Sequence, residues 1–370
     1  MKLRQICYSG IMVLILFAGS VMPAQAQFDD AGEILRAGQQ DANILLEQYL
    51  KPVGKGFGAD LNSGWFSTAK THATLGFDIT LNVGAAVVPS SDQMFNVEDL
   101  PLQEVEYISN GPQTPTVAGD DQTGALIGSE STFFNPNTGQ NERVFELNLP
   151  QGSGYPYIPA PMLQASVGVI KNTDVTVRYL PQVPLPNDLE VKMFGLGLKH
   201  EINQWLPGGN LLPVDLSVQG GFTNLDATLP FEVTPNADQD TENPFPASTW
   251  EGQEANFSAN AFTINALVGK TLPIISVFGG VGYQTSSVDI GVDGSYPVEA
   301  PNDQYNPTDP DSKPKTIEKI DDPVSLSYDE NSSLHALIGA RLKLLIFNIS
   351  ASYTLSEYPI AQVGVGIGIR

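Results

Sequence analysis

Residues 74–84, TLGFDITLNVG, carry the clearest pattern in this sequence. From Leu75 to Val83 every second residue is large and apolar, and the residues between them are polar or small. A period of two predicts a β-strand with one apolar face and one polar face. Both a soluble β-sandwich and an outer-membrane barrel contain strands of this kind. The stretch therefore indicates an all-β fold and leaves those two architectures open.

The same pattern recurs and predicts ten strands, at 71–88, 161–171, 173–180, 190–203, 211–226, 255–269, 273–290, 332–344, 346–356 and 359–370. The connections between them alternate between long ones (89–160, 181–189, 227–254 and 291–331) and short ones (172, 204–210, 270–272 and 345), and only 357–358 breaks the rule. Outer-membrane barrels have long extracellular loops and short periplasmic turns. We therefore predict an antiparallel transmembrane β-barrel of ten to fourteen strands. A hairpin formed by 124–134 and 143–149 would raise the count to twelve if it joined the barrel.

The N-terminus has the features of a signal peptide. Lys2 and Arg4 precede an apolar run over 6–18, and Ala24 and Ala26 fit a cleavage site. We expect cleavage near Ala26 and export to the outer membrane of a Gram-negative bacterium. The expected division is a signal peptide at 1–26, a helical, hatch-like segment at 27–69 and the barrel at 70–370.

The segment after the signal peptide predicts one amphipathic helix at 28–51, which Pro52 would end. Gly54, Gly56 and Gly58 would then form a flexible stretch. The helix would start in the periplasm, where the chain also ends, and could plug the barrel or pack beneath it. The residues expected to form the plug are Ile34, Leu35, Leu45, Tyr49 and Trp65.

Acidic residues are concentrated in the long loops, which hold 26 of the 41 aspartates and glutamates. The net charge of −23 argues against nucleic acid as a partner. Acidic pairs and triplets suggest divalent cations that bridge to lipopolysaccharide phosphates, but none of them forms a complete calcium loop, and a solvated, mobile loop is the better explanation. These residues are Asp238, Asp240 and Glu242, then Asp309 and Asp311, and finally Asp321 and Asp322.

Five charged residues should face the lumen by strand parity: Asp78, Arg178, Asp215, Arg341 and Lys343. They could select ions by charge or pair with one another and fill the interior.

Catalytic chemistry has little basis in the sequence. Cys7 is the only cysteine, and the histidines are His72, His200 and His335. We expect no metal site, no cofactor and no enzymatic activity. A lipid hydrolase that uses His200 or His335 is the third alternative, because barrel hydrolases need a serine and a histidine at the lipid-facing surface or rim.

Three stretches within 41–84 carry a family resemblance: Tyr49, Leu50, Lys51 and Pro52 with the glycines after them; 61–66, LNSGWF; and Thr68, Ala69 and Lys70 leading to Gly76, Phe77 and Asp78. They resemble an uncharacterised family of outer-membrane barrels from Bacteroidota. The layout is also similar to barrels that transport long-chain fatty acids and other hydrophobic compounds, which fold an N-terminal hatch into the lumen. This chain ends in Arg370, whereas many outer-membrane barrels end in an aromatic residue.

The resemblance implies a porin-like channel or carrier for a small hydrophobic or amphipathic compound. The alternative from a different class is a structural or adhesive surface barrel that acts through its acidic loops. In both cases the expected surroundings are outer-membrane lipid and lipopolysaccharide.

Overall fold

The computed structural model describes residues 34–135, 138–184, 188–235, 240–306, 308–309, 311–329 and 332–369. Within these ranges ten long antiparallel strands form one barrel. They are β1 (Phe77–Val87), β2 (Tyr157–Val169), β3 (Thr173–Pro184), β4 (Glu190–Glu201), β5 (Asp215–Pro230), β6 (Glu254–Thr271), β7 (Ile275–Asp293), β8 (Ser333–Leu344), β9 (Phe347–Leu355) and β10 (Ile360–Ile369). The predicted signal peptide and the first residues of the predicted helix lie outside the described residues.

The barrel is closed by its first and last strands. Phe77 in β1 is opposite Ile369 in β10 on one side and opposite Val167 in β2 on the other. Strand parity then sends alternate side chains inward and outward, so that Asp78 is 5% exposed while Ile79 is 43% exposed. The predicted antiparallel barrel is thus confirmed, with ten strands in the described part of the chain.

The two ends of the barrel differ in their connections. One end, here called the short-turn end, joins strands through 170–172, 202–214, 272–274 and 345–346. The opposite end, the long-loop end, carries 88–156, 185–189, 231–253, 294–332 and 356–359. The loops 88–156, 231–253 and 294–332 fold together into a structure that we call the cap.

The cap contains short strands of its own. They are Met94–Asn96, Val105–Ser109, Gln113–Pro115, Leu126–Ser129, Thr132–Asn135, Gln140–Arg143, Glu146–Asn148, Thr241–Glu242, Ser295–Pro301, Lys315–Asp321 and Val324–Ser327. Single-turn 3₁₀ helices lie in the cap at Ser90–Asp92, Val97–Asp99 and Ala247–Trp250, and at the short-turn end at Asn203–Trp205 and Gly209–Leu211. The predicted hairpin near 124–149 belongs to these small sheets and adds no strand to the barrel, because its strands pair only with other cap strands.

One long helix, α1 (Gly38–Leu61), follows a 3₁₀ turn at Ile34–Ala37. The predicted end at Pro52 is wrong, because the helix continues through this proline for nine more residues. A proline inside a helix costs about 3 kcal/mol, and burial of the surrounding residues against the barrel outweighs that cost. Among the described residues, no helix has the length and apolar character needed to cross a membrane.

The helix runs through the barrel from the long-loop end. Arg36 forms an ion pair with Glu299 in the cap, whereas Gly58 packs on Ser286 inside the barrel. The chain then descends to His72, which packs on Gly168 near the short-turn end. The helix was expected to begin at the same end as β1, and this expectation is wrong. The irregular residues 62–76 are long enough to cross the lumen and turn back into β1, since an extended residue spans about 3.3 Å.

Candidate functional site

Residues 38–76, which we call the plug segment, begin in the cap and continue into the barrel, where they fill the lumen. Its helical part fits because glycines replace side chains at points of close approach. A Cβ atom on Gly54 would lie 2.4 Å from the Tyr328 ring, and one on Gly58 would lie 2.5 Å from Ser286 Oγ. The glycines predicted to be flexible are therefore helical residues that allow the cap and the barrel wall to approach the helix closely.

Trp65 lies in a socket on the inner wall. A Cβ atom on Gly197 or on Gly221 would lie within 2.6 Å of the indole ring, so only glycine leaves room for it there. The Arg178 guanidinium carbon lies over the same ring, 3.7 Å from its centroid. A cation over an indole at this distance is a favourable cation–π contact. Trp65 is thereby held between two strands and a charge.

Arg178 is fully buried and binds the plug segment directly. Its Nη1 donates to the carbonyl oxygen of Leu61 at 2.7 Å, and its Nη2 donates to the carbonyl oxygen of Ser63. Its remaining contacts are with Gln164 Oε1 and Thr223 Oγ1 on the wall. A buried charge is tolerated only when its hydrogen bonds are made. Arg178 therefore joins the end of α1 to the barrel wall.

A second charged group anchors the plug segment nearer the short-turn end. His72 Nε2 is 2.9 Å from Asp78 Oδ2 in β1, and His72 Nδ1 is 3.1 Å from Asp174 Oδ2 in β3. Lys199 and Arg341 complete the group, at 3.0 Å from Asp174 and 3.5 Å from Asp78 respectively. All five side chains are buried. We call these residues the ionic latch.

Strand parity predicted five luminal charges, and the structure brings three of them into contact with the plug segment. Asp78 and Arg341 belong to the ionic latch, and Arg178 holds Trp65. Asp215 and Lys343 are only partly buried and lie at the short-turn end of β5 and β8. Asp174 and Lys199 were not among the predicted luminal charges, although parity from neighbouring luminal residues in their strands places both inside.

The residues predicted as the plug divide between two places. Trp65 lies deep in the barrel, whereas Ile34 and Leu35 pack among the loops of the cap. Leu45 and Tyr49 belong to the same apolar core, which joins the cap to the upper wall. Tyr49 also donates its hydroxyl to the carbonyl oxygen of Gln151. Only part of the predicted set therefore occupies the lumen, because the helix enters from the cap side.

The plug segment leaves little free space in the lumen. A cavity of about 10 Å³ adjoins the ionic latch, and one of about 20 Å³ lies between residues 62–66 and the β6–β10 wall. Each is large enough for only a water molecule or two. Both are lined mainly by polar groups, so neither provides an apolar path through the barrel.

A larger cavity, a cleft of about 750 Å³, lies in the cap beside the start of α1. Its charged residues are Arg36, Glu104, Glu299, Glu318 and Asp322. Glu299 is neutralised by Arg36 at 3.1 Å and by Lys315 at 3.0 Å.

Glu104 and Glu318 leave the cleft with excess negative charge. Burial and the nearby carboxylates of Asp41 and Glu318 raise the pKa of Glu104, as expected where acids are crowded.

The cleft has a fixed shape because Asp41 ties the helix to the cap. This fully buried carboxylate accepts hydrogen bonds from the backbone N–H groups of Gln103, Glu104 and Val105, at 2.7 to 3.0 Å. Bonds of this kind are strong because the acceptor is ionised. The rim that carries Glu104 is therefore anchored to α1.

The histidines have partners unsuited to serine hydrolysis. His200 lies near the short-turn end, where it accepts from Trp205 Nε1 at 2.8 Å and contacts Thr173 Oγ1 at 2.8 Å. His335 contacts Asn265 Oδ1 at 2.6 Å inside the barrel. In the described ranges no serine hydroxyl is hydrogen-bonded to a histidine ring.

The acidic groups of the loops do not converge. Across the described residues no three histidine, cysteine or acidic side chains are placed to hold a metal ion. Asp321 is bound by Ser295 and Lys319, and Asp322 accepts from the backbone N–H of Gly294. Asp238 lies outside the described residues. Binding of divalent cations stays a prediction.

Several solved structures of outer-membrane barrels resemble this chain. One is the translocator domain of the autotransporter NalP from Neisseria meningitidis, with 12% identity, 81% of this chain and 90% of that chain covered, and a TM-score of 0.28. Another is Ail, the attachment invasion locus protein of Yersinia pestis, with 11% identity, 80% of this chain and 99% of that chain covered, and a TM-score of 0.24. A third is the P. putida toluene transporter TodX, with 9% identity, 84% of this chain and 92% of that chain covered, and a TM-score of 0.22.

None of the curated proteins compared with the sequence matches it significantly. A protein family of unknown function, DUF6588, matches residues 4–369. Because this match spans nearly the whole sequence, the chain belongs to the DUF6588 family.

Proposed function

We propose that this protein is a closed outer-membrane barrel that displays its cap at the cell surface and binds a cationic partner in the cap cleft. The proposal rests on where the cavities of the molecule lie. In the part of the chain that the structure describes, the cavities beside the plug segment measure about 10 and 20 Å³, whereas the cap holds a cleft of about 750 Å³. A binding role at the surface therefore fits the geometry better than an open pore.

The outer wall supports the membrane location. Outward side chains such as Leu334, Ile338 and Val281 are 82%, 68% and 63% exposed. Burial of such groups is worth about 25 cal/mol per Å², so a continuous apolar wall favours hydrocarbon over water. The closed ring of strands pairs the backbone groups that lipid cannot satisfy. The long-loop end would face outward and the short-turn end the periplasm.

The excess acid in the cleft supports a cationic partner. Glu104 and Glu318 line the cleft, and both side chains are exposed to solvent at its rim. Phe145 and Val144 line the same cleft and add apolar surface. A lysine- or arginine-rich segment would match both features, because its charged ends pair with carboxylates while its stems pack on apolar groups.

The test uses a fluorescent hexalysine peptide and the full-length protein in detergent. Wild type should bind the peptide, and the double variant Glu104→Gln/Glu318→Gln should bind it about five- to thirtyfold more weakly, because each lost ion pair contributes about 0.5–1 kcal/mol. Glu98→Gln removes one acid from the cap outside the cleft and is the control. Equal binding by wild type and the double variant would exclude the cleft as the site.

Transport of a small hydrophobic compound stays a prediction and would require the plug segment to move. Liposomes that contain the full chain should not swell in solutions of small sugars, whereas a variant lacking residues 28–66 should make them swell. Swelling by the full chain at the rate of the deletion variant would contradict the closed barrel.

A further inference from the structure

The cavity of about 20 Å³ beside the plug segment is lined by three residues that each carry a buried polar atom with no hydrogen-bond partner among the described residues. These atoms are Asn62 Oδ1 on the plug segment, His335 Nδ1 in β8 and Gln362 Nε2 in β10. The three side chains are 5%, 7% and 8% exposed. An unmade hydrogen bond on a buried group is costly, so three around one small cavity point to a missing partner.

The neighbouring hydrogen bonds fix which of these atoms donate. Asn62 Nδ2 donates to the carbonyl oxygens of Gly58 and Thr285, which leaves Asn62 Oδ1 as a free acceptor. Gln362 Oε1 accepts from Ser352 Oγ, which leaves Gln362 Nε2 as a free donor.

The role of His335 follows from its other ring nitrogen. Asn265 Nδ2 donates to Gln219 Oε1, so Asn265 Oδ1 must accept from His335 Nε2. A neutral His335 then carries its proton on Nε2 and presents Nδ1 as an acceptor. The cavity thus offers two acceptors and one donor.

We infer that this cavity is a binding site for a water molecule that bridges the plug segment to β8 and β10. Water donates two hydrogen bonds, to Asn62 Oδ1 and His335 Nδ1, and accepts one from Gln362 Nε2. A cavity of this size holds one or two waters, and buried waters typically make about three hydrogen bonds. An ammonium or metal cation does not fit, because the Gln362 donor would face it.

The site adds a neutral contact to a plug segment that is otherwise held by charged groups. Arg178 and the ionic latch bind the plug segment directly, and Arg341 in β8 also donates to Ser67 Oγ at 3.1 Å. The water adds an exchangeable, neutral contact to β8 and β10. This inference concerns only the interior and is independent of the partner proposed for the cap cleft.

A crystal structure at a resolution that shows ordered water tests the site directly. The expected result is one density peak within hydrogen-bonding distance, about 2.7–3.2 Å, of all three atoms. An empty cavity, or direct hydrogen bonds among the three side chains, would overturn the inference.

A double-mutant cycle gives an independent test in solution. Gln362→Met and His335→Leu each remove one contact to the water. The change that the double variant causes in the unfolding equilibrium constant should differ by at least about twofold from the product of the changes caused by the two single variants. In the control pair, the effects of His335→Leu and Thr176→Val on the same constant should simply multiply, because Thr176 lies in β3 and does not line this cavity. Simple multiplication for both pairs would count against a shared water.

Discussion

The socket for Trp65 gives the sharpest prediction about the closed lumen. A Cβ atom on Gly221 would lie 2.4 Å from Trp65 Cε2 and 2.7 Å from its Cδ2. Contacts this short force the ring or the strand to move, and overpacking of this kind costs about 1–3 kcal/mol. We therefore expect Gly221→Ala to lower the free energy of unfolding by that amount.

The adjacent Gly220 is a matched control in the same strand. It faces outward, and the nearest atom to an added Cβ is the carbonyl oxygen of Thr263 at 3.8 Å. Gly220→Ala should therefore be neutral, or stabilising by up to about 1 kcal/mol through the reduced entropy of the unfolded chain. Urea unfolding in phospholipid vesicles, followed by circular dichroism, measures both variants.

A Trp65→Ala background separates the clash from other effects of the substitution. Removal of this buried indole should itself cost about 3–5 kcal/mol. Gly221→Ala should then cost almost nothing, because the ring it would meet is gone. An equal penalty for Gly221→Ala with and without the indole would refute the socket, as would equal penalties for Gly220→Ala and Gly221→Ala.

Two further predictions concern the attachments of the plug segment. His72→Ala should lower the free energy of unfolding by about 1–3 kcal/mol, because Asp78 and Asp174 lose a buried partner, and should speed hydrogen exchange at 62–76; unchanged exchange there would argue against the ionic latch. At the cap, burial raises the pKa of Asp92, but hydrogen bonds from Lys51 and Tyr358 and the Lys51 charge lower it more, so that it falls below its ordinary value. The stability contributed by this carboxylate is present above about pH 3.9 and is lost as the pH falls through the lower, folded pKa. Unfolding of Asp92→Asn should therefore depend less on pH between 7 and 2 than that of wild type, and identical pH profiles would contradict this.

The strands could be predicted from the sequence because every second side chain faces hydrocarbon and must be apolar. β1 and β10 alternate cleanly, and their predicted ranges include the observed ones. Alternation is weaker in β4, where Gly195 and Gly197 face inward. Both positions are glycine because the Trp65 ring packs against them, and no local sequence pattern reveals that contact.

The course of the helix could not be predicted, because its stability comes from contacts distant in sequence. Pro52 and Gly54 have poor helix propensity, and packing on residues such as Tyr328 overrides it. The direction of α1 depends on the 62–76 crossing, which has no periodic pattern. Charge pairing across the lumen was among the expected outcomes, but His72 precedes the first strand and parity could not place it.

The most direct test of the plugged barrel is a disulfide between plug and wall. The sequence has only one cysteine, Cys7, in the predicted signal peptide, so a disulfide between two introduced cysteines can be detected without interference from other thiols. A Cβ on Gly56 would lie 3.2 Å from Ile158 Cβ, close to the 3.5–4.5 Å of a disulfide.

Gly56→Cys/Ile158→Cys should therefore cross-link on mild oxidation of cells, with a shift in mobility on a non-reducing gel. Gly56→Cys/Leu163→Cys should not, because Leu163 faces outward from the same strand and is 41% exposed. If the first pair stays reduced and both its thiols react freely with maleimide, the helix does not occupy the lumen.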